Sequence, residues 1–238
     1  MSLSLPGSLV STESLAAHLD HPDFVILDGS FKLPGVTPVA AEDFAARHIP
    51  NARFFDIDDI ADHETSLPHM LPSADAFERY ASNLGISNDS TVVVYDTPGL
   101  MSAGRVWWTL RTFGHDKVAV LDGGLRKWLA EGRPITNQVT PARKGHFHAS
   151  FHPDAVRSKA QVLGNLHIRA EQVIDARSAA KRVRDCAPAI FRVASTFPST
   201  RLPIPRRANC WMSPASRRRS RRQASISQSP LSQAAVPA

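Results

Sequence analysis

Cysteine is nearly missing: the 238 residues hold two, Cys186 and Cys210, and they form no CxxC pair. That excludes a disulfide framework and the paired-thiolate metal and redox motifs. No uninterrupted apolar run approaches the length that crosses a bilayer, and the opening MSLSLPGSLVS lacks the basic-then-apolar order of a secretory leader. The expected setting is therefore a reducing cytoplasm, with no membrane partner. GxGxxG and GKS patterns are lacking too, which leaves Gly123-Gly124 as a tight turn rather than a phosphate cradle. Acid is missing locally. Residues 181–238 carry 12 Lys and Arg against one acid, Asp185, together with seven prolines, whereas the remainder has 16 basic against 21 acidic residues. A mildly acidic protein thus ends in a basic segment of different character, with little apolar periodicity. Its RRRSRR run has no interleaved aromatics, so nucleic acid is not an expected partner.

What is present is alternation. FVILD (24–28), TVVVYD (91–96) and KVAVLD (117–122) are short apolar runs rich in β-branched residues, as in strands buried on both faces. Helical patterns lie between them. LAAHL follows the potential caps Ser11 and Thr12, AEDFAARH runs from about residue 41, and ADAFERYASNL follows Ser73. SAGRVWWTLRTF and GLRKWLAEG continue the series, with Gly85, Gly114 and Gly132 where helices should stop. The spacing predicts an α/β fold with a mainly parallel sheet flanked by helices on both faces, and ligands at the carboxyl ends of its strands.

The chain also repeats itself. VSTESLAAHLDHPDFVILDGS from Val10 aligns, with one gap, to VRSKAQVLGNLHIRAEQVIDARS from Val156, placing Asp28 over Asp175. A second copy of the unit therefore begins near residue 150, after the polar stretch ITNQVTPARKGH. No second HIPNA, VVVYD or DGG follows Asp175. The expected organisation is a first domain over 8–136, a linker over 137–149, the start of a second copy over 150–182, and an aberrant, disordered tail over 183–238.

Five ordered motifs support a family resemblance: RHIPNARFFDID (47–58), LPHMLPSADAF (67–77), VVVYDTPG (92–99), GRVWWTLRTFGH (104–115) and LDGGLRKW (121–128). They closely resemble the N-terminal half of two-domain rhodanese-type sulfurtransferases, and most of all the 3-mercaptopyruvate sulfurtransferase branch. The resemblance covers roughly residues 8 to 182. It implies tandem rhodanese domains, a silent first domain, and in the second a cysteine opening a loop such as CGSGVTA. Loop N–H groups and a helix N-terminus there stabilise a thiolate that becomes a persulfide. It also implies a small-molecule sulfur donor, 3-mercaptopyruvate or thiosulfate, a thiol or cyanide acceptor, and no cofactor or metal.

Asp96 stands at the cysteine's place in the first copy, and a carboxylate cannot carry a persulfide. Neither Cys186, in RVRDCAPAI, nor Cys210, in RRANCWMSP, follows an apolar strand or opens a glycine-bearing loop, so both read as incidental. Back-translating SISQSPLSQAAVPA (225–238) and reading one base earlier can give VDLTKPVVASCGSG, the missing strand and loop. The expectation is a frameshift between about residues 181 and 200 that replaced the rest of the catalytic domain.

By motif, the resemblance maps a proton relay proposed for mercaptopyruvate enzymes onto His69 of HMLP and Asp58 of FFDID, its serine falling in the missing loop. An equally open reading is that the pair only holds the interdomain segment. Arg182 is the nearest match to the family arginine that follows DAR, although the family spacing falls on Lys181. Trp107, Trp108 and Trp128 read as core, and Asp28 and Asp175 as strand ends that bond loop amides. Arg47 reads as facing the interdomain cleft or as a surface ion pair. His146, His148 and His152 alternate on one candidate strand with no acidic or cysteine partner fixed nearby, so no metal site is expected there. Two classes stay open: a sulfurtransferase by lineage, predicted inactive as written, and a non-catalytic interaction module or pseudogene-like product.

Overall fold

The computed structural model describes residue 5 and residues 7–174. The chain divides into two units, Met1–His167 and Ile168–Ala238. In the first lie β1 (Leu9–Val10), α1 (Thr12–Ala16), β2 (Phe24–Asp28), α2 (Ala40–Ala46), β3 (Ala52–Phe54), α3 (Ala74–Asn83), β4 (Thr91–Tyr95), α4 (Ala103–Thr112), β5 (Val118–Leu121) and α5 (Gly124–Ala130). A short 3-10 turn, Pro153–Ala155, precedes α6 (Lys159–Ile168). Of the second unit only residues 168–174 are described. Asp175, Lys181, Arg182, Cys186, Cys210 and the basic tail lie outside the described residues.

The five strands are all parallel, in the order β1-β5-β4-β2-β3. The three apolar runs form the centre of the sheet, and their side chains alternate between two cores. Val25, Leu27, Val92, Val94, Val118 and Val120 face one core, with Phe77 and Ala81 of α3 and Val106 and Leu110 of α4. Phe24, Ile26, Val93, Tyr95, Ala119 and Leu121 face the other, with Leu15 of α1, Phe44 of α2, and Leu125 and Trp128 of α5. Burial on both sides explains why these strands read as continuous apolar runs rather than alternating ones.

Helix ends follow local chemistry. Ser11 and Ser73 cap α1 and α3 by accepting from the N–H groups of Ser14 and Ala76. Gly85 and Gly114 take left-handed φ values of 73° and 86° just beyond α3 and α4, where a glycine ends a helix without a Cβ clash. Trp128 is fully buried as expected, with its Nε1 donating to the Pro134 carbonyl at 2.8 Å. Trp107 packs on the edge of the first core, but Trp108 is only half-buried. Its Nε1 donates to the carbonyl of Ala155, and Arg105 lies over its ring at 4.9 Å.

Residues 137–152 run as a strap over this domain. His48, fully buried and stacked on Phe44 at 4.1 Å, pairs through its backbone with Thr136, and its Nε2 lies 3.2 Å from the Gln138 carbonyl. Further on, Gly145 N–H donates to Ser82 O, Phe147 N–H to Ser82 Oγ, Ala149 N–H to Glu78 Oε2, Ser150 N–H to Phe113 O and His152 N–H to Thr112 O. Phe147 inserts into the first core, 3% exposed. The candidate strand through His146, His148 and His152 does not form, because its amides are taken up by helix ends and loop side chains instead of a ladder. His148 also meets an acid that the sequence did not place beside it: its Nδ1 lies 3.0 Å from Glu78 Oε2. Among the described residues no group of three or more His, Cys, Asp or Glu could hold a metal, and no helix is long and apolar enough to cross a membrane.

Candidate functional site

The carboxyl ends of β2 and β4 are adjacent in register, with Asp28 opposite Tyr95. Gly29 N–H donates to the Tyr95 carbonyl at 2.8 Å, and Thr97 N–H to Ser30 Oγ at 2.9 Å. Ser30 and Thr97 hydroxyls also meet at 3.0 Å. The loop after β4 is thereby fixed to the loop after β2.

Asp96 heads that loop and is fully buried. Its Oδ1 accepts from Gly99 N–H at 2.5 Å, and its Oδ2 from the N–H groups of Met101, Ser102 and Ala103 at 2.7, 2.7 and 2.9 Å. These donors belong to the turn into α4, whose own N-terminal amides have no intrahelical partner. The loop is braced from behind by the DGG turn, since Leu125 N–H donates to the Asp96 carbonyl at 2.9 Å. A Cβ at Gly124 would run into that carbonyl, and one at Gly99 would lie 2.7 Å from the Gly123 carbonyl oxygen. The two glycines therefore permit the close approach of two backbone turns. This is what the DGG motif contributes, and it agrees with reading Gly123-Gly124 as a turn.

Asp28 shares the same end of the sheet, is 2% exposed, and accepts from Ser30 N–H through Oδ1 at 2.9 Å. Burial holds its carboxyl above the usual range; hydrogen bonds from Ser30 and Tyr95 pull the other way, and the Asp96 charge adds to the rise. An acid whose folded-state pKa is raised binds its proton more tightly in the native state. Its effect on stability is therefore most favourable at low pH and is lost as pH rises through the raised value. Relative to the parent chain, Asp28→Asn should become progressively more stable as pH rises above the ordinary carboxylate range, in urea unfolding. A difference that stays constant with pH would mean that Asp28 titrates alike in both states.

The second group lies on the segment after β3. His69 Nδ1 is 3.0 Å from Asp58 Oδ1, an ion-pair distance without hydrogen-bond alignment, and both side chains are partly open to solvent. His69 takes φ 58°, a left-handed conformation that costs energy in a non-glycine residue and persists when its surroundings over-determine it. Two neighbours do so. The guanidinium of Arg105, two residues beyond the last donor to Asp96, donates to the His69 carbonyl, and Phe31 turns edge-on to the imidazole with ring centroids 5.1 Å apart. Asp58 and His69 line a cavity of about 320 Å³ that also includes Asp62, His63, Thr65 and Ser66.

The structure thus brings together the Asp58 and His69 singled out by motif, and connects them through Arg105 and Phe31 to the Asp96 loop. Arg47 is exposed at the end of α2. Ser30, Phe31, Thr97 and Arg105 were not singled out in the sequence. The position of Ser30 two residues after the strand-ending Asp28 was the available signal for the first of them.

Residues 11–131 match the family described as Rhodanese-like domain. The chain is 43% identical over 180 residues to 3-mercaptopyruvate sulfurtransferase of Rattus norvegicus, covering 73% of this chain and 61% of that protein. It is 40% identical over 173 residues to 3-mercaptopyruvate sulfurtransferase of Escherichia coli (strain K12), covering 72% and 62%. Among solved structures, SseA from Escherichia coli, described as a 3-mercaptopyruvate sulfotransferase, superposes with a TM-score of 0.71 at 38% identity, covering 76% of this chain and 70% of that one. The chain spans about three fifths of the length of the curated relatives it matches.

Proposed function

The chain belongs to the rhodanese-like family, and from that premise we propose a sulfurtransferase by lineage that, as these 238 residues, does not turn over. The lineage reaction would move sulfur from 3-mercaptopyruvate or thiosulfate to a thiol or cyanide through a cysteine persulfide. One observation carries the loss of turnover: the loop after β4 holds the carboxylate of Asp96, as a silent first domain should, and the sequence after Asp175 offers no second strand followed by a cysteine-bearing loop. In the sequence, neither Cys186 nor Cys210 opens a loop between strand and helix.

On this reading Asp58 and His69 are remnants of a proton relay. An imidazole held by a carboxylate would reprotonate the pyruvate enolate as it leaves, and Arg182 would bind the substrate carboxylate. The second domain was replaced by a reading-frame shift between about residues 181 and 200. That is supported by the CGSG loop recoverable from the back-translated 225–238 segment and by the abrupt change of charge. Resequencing the gene checks the shift, and a clean frame without a rhodanese loop in any frame would remove this explanation.

The functional test is direct. Purified chain incubated with 3-mercaptopyruvate should release no pyruvate above the uncatalysed rate and should carry no cyanide-labile sulfur. Turnover that is abolished by Cys186→Ser or Cys210→Ser would overturn the reading.

A further inference from the structure

His115 follows the glycine that ends α4 and lies beneath the strap. It is 1% exposed, and neither ring nitrogen has an aligned hydrogen-bond partner among the described residues, whereas its backbone N–H donates to the Leu110 carbonyl. Two strap residues roof it. Phe147 tilts against the imidazole with ring centroids 5.9 Å apart, and Ser150 passes so close to Gly114 that a Cβ there would lie 3.1 Å from the Ser150 carbonyl oxygen. Phe147 is buried, while the bonds of His146 and His148 to Ser87 and Asn88 on either side of it are open to solvent. Water can replace those outer bonds with little change in free energy, so the seating of Phe147 decides whether this part of the strap stays down.

We propose that His115 is an acid-sensitive latch whose protonation unseats Phe147 and frees residues 145–152 while the sheet stays folded. An imidazolium carries two N–H donors, and the closed site offers neither of them an aligned acceptor or access to solvent. The charged ring is therefore accommodated only once the strap has lifted. Burial is the main cause that holds the imidazole below its ordinary range; the Lys117 charge adds to this, while the backbone of Lys117 and of Ser90 and the Asp116 charge pull the other way. A histidine depressed in the closed state leaves the strap fully held above its open-state value. The hold weakens as pH falls through that value, because the open state then binds the proton that the closed state refuses.

The charged groups around the ring do not supply the missing acceptor. On its own turn, Asp116 is paired with Arg111 of α4 at 3.2 Å, and Lys117 Nζ donates to the Asp89 carbonyl at 3.2 Å. From α3 comes Glu78, which accepts from Ala149 N–H and lies 3.0 Å from His148 Nδ1. The strap itself brings His146 and His148 beside Phe147 and His152 beyond it, all three exposed. A proton on His148 would draw it toward Glu78 and hold the strap down. Release by acid therefore has the opposite sign to the response of that pair.

The test is amide hydrogen exchange of the full chain, read by mass spectrometry for peptides over 145–152 and over β4 and corrected for the intrinsic effect of pH on exchange. Between about pH 8 and about pH 5.5, roughly one unit below the ordinary histidine value of about 6.5, the open fraction of the strap should rise by about threefold to tenfold. Protection of β4 should not change. His115→Leu should abolish the rise. A variant carrying Glu78→Gln, His146→Asn, His148→Asn and His152→Asn should keep it, since none of those groups is the latch. No rise in the parent chain, equal acceleration in β4, a rise that survives in folded His115→Leu, or its loss in the four-site variant overturns the proposal. If His115→Leu does not fold, the four-site variant decides alone: a rise confined to 145–152 upholds the assignment, and its absence overturns it.

Discussion

Phe77→Ala is expected to lower the unfolding free energy of the first domain by about 3–5 kcal/mol, a large part of the stability of a domain this size. Phe77 on α3 is fully buried, stacks on Phe113 with ring centroids 4.3 Å apart, and meets Phe147 edge-on at 5.7 Å. The ring therefore joins three segments distant in sequence: α3, the end of α4 and the strap. Its removal leaves a cavity lined by rings held by separate backbones, which cannot all collapse into it. Urea unfolding followed by tryptophan fluorescence measures the loss. Phe77→Leu should cost less, because it keeps most of the volume, and a loss under about 1 kcal/mol for alanine would show that the site closes up.

Limited proteolysis of the full chain should leave a protected fragment whose C-terminal edge lies at or beyond Val156, not near residue 140. Backbone N–H bonds from Gly145, Phe147, Ala149, Ser150 and His152 anchor the strap, and Trp108 donates to Ala155. A chain ended after Thr140 loses all of these and also Phe147, and with it about 3–5 kcal/mol for the buried ring alone. Mass spectrometry of the resistant fragment gives its edge directly. Early cleavage between residues 140 and 150 would mean that the strap opens independently of the domain.

The centre of the sheet was legible because strands buried on both faces leave a strong mark. FVILD is the whole of β2, and TVVVYD and KVAVLD lose only end residues to the loops. The capping serines 11 and 73 were equally plain. Outer strands were not: β1 has two residues and β3 three, too few to show any period. The strap escaped because its hydrogen bonds go to side chains and helix ends some 35 to 90 residues away, and no local pattern encodes that. At the site, the sequence placed a carboxylate at the head of a loop and linked His69 with Asp58 by motif. It did not reveal that four amides converge on Asp96, nor that Gly99 and Gly124 let two turns touch. Those are properties of backbone geometry, invisible to residue type alone.

The strap also marks where the coding of the first domain ends. Every segment that completes the two cores, from Val10 of β1 to Phe147, precedes residue 153. The final anchors, His152 on Thr112 and Trp108 on Ala155, all precede the basic segment that begins at 181. Because domains generally fold as units, a change of reading frame beyond residue 181 alters none of the residues from which the first domain is built. The sheet, the strap and the Asp96 loop are therefore encoded wholly upstream of any such change.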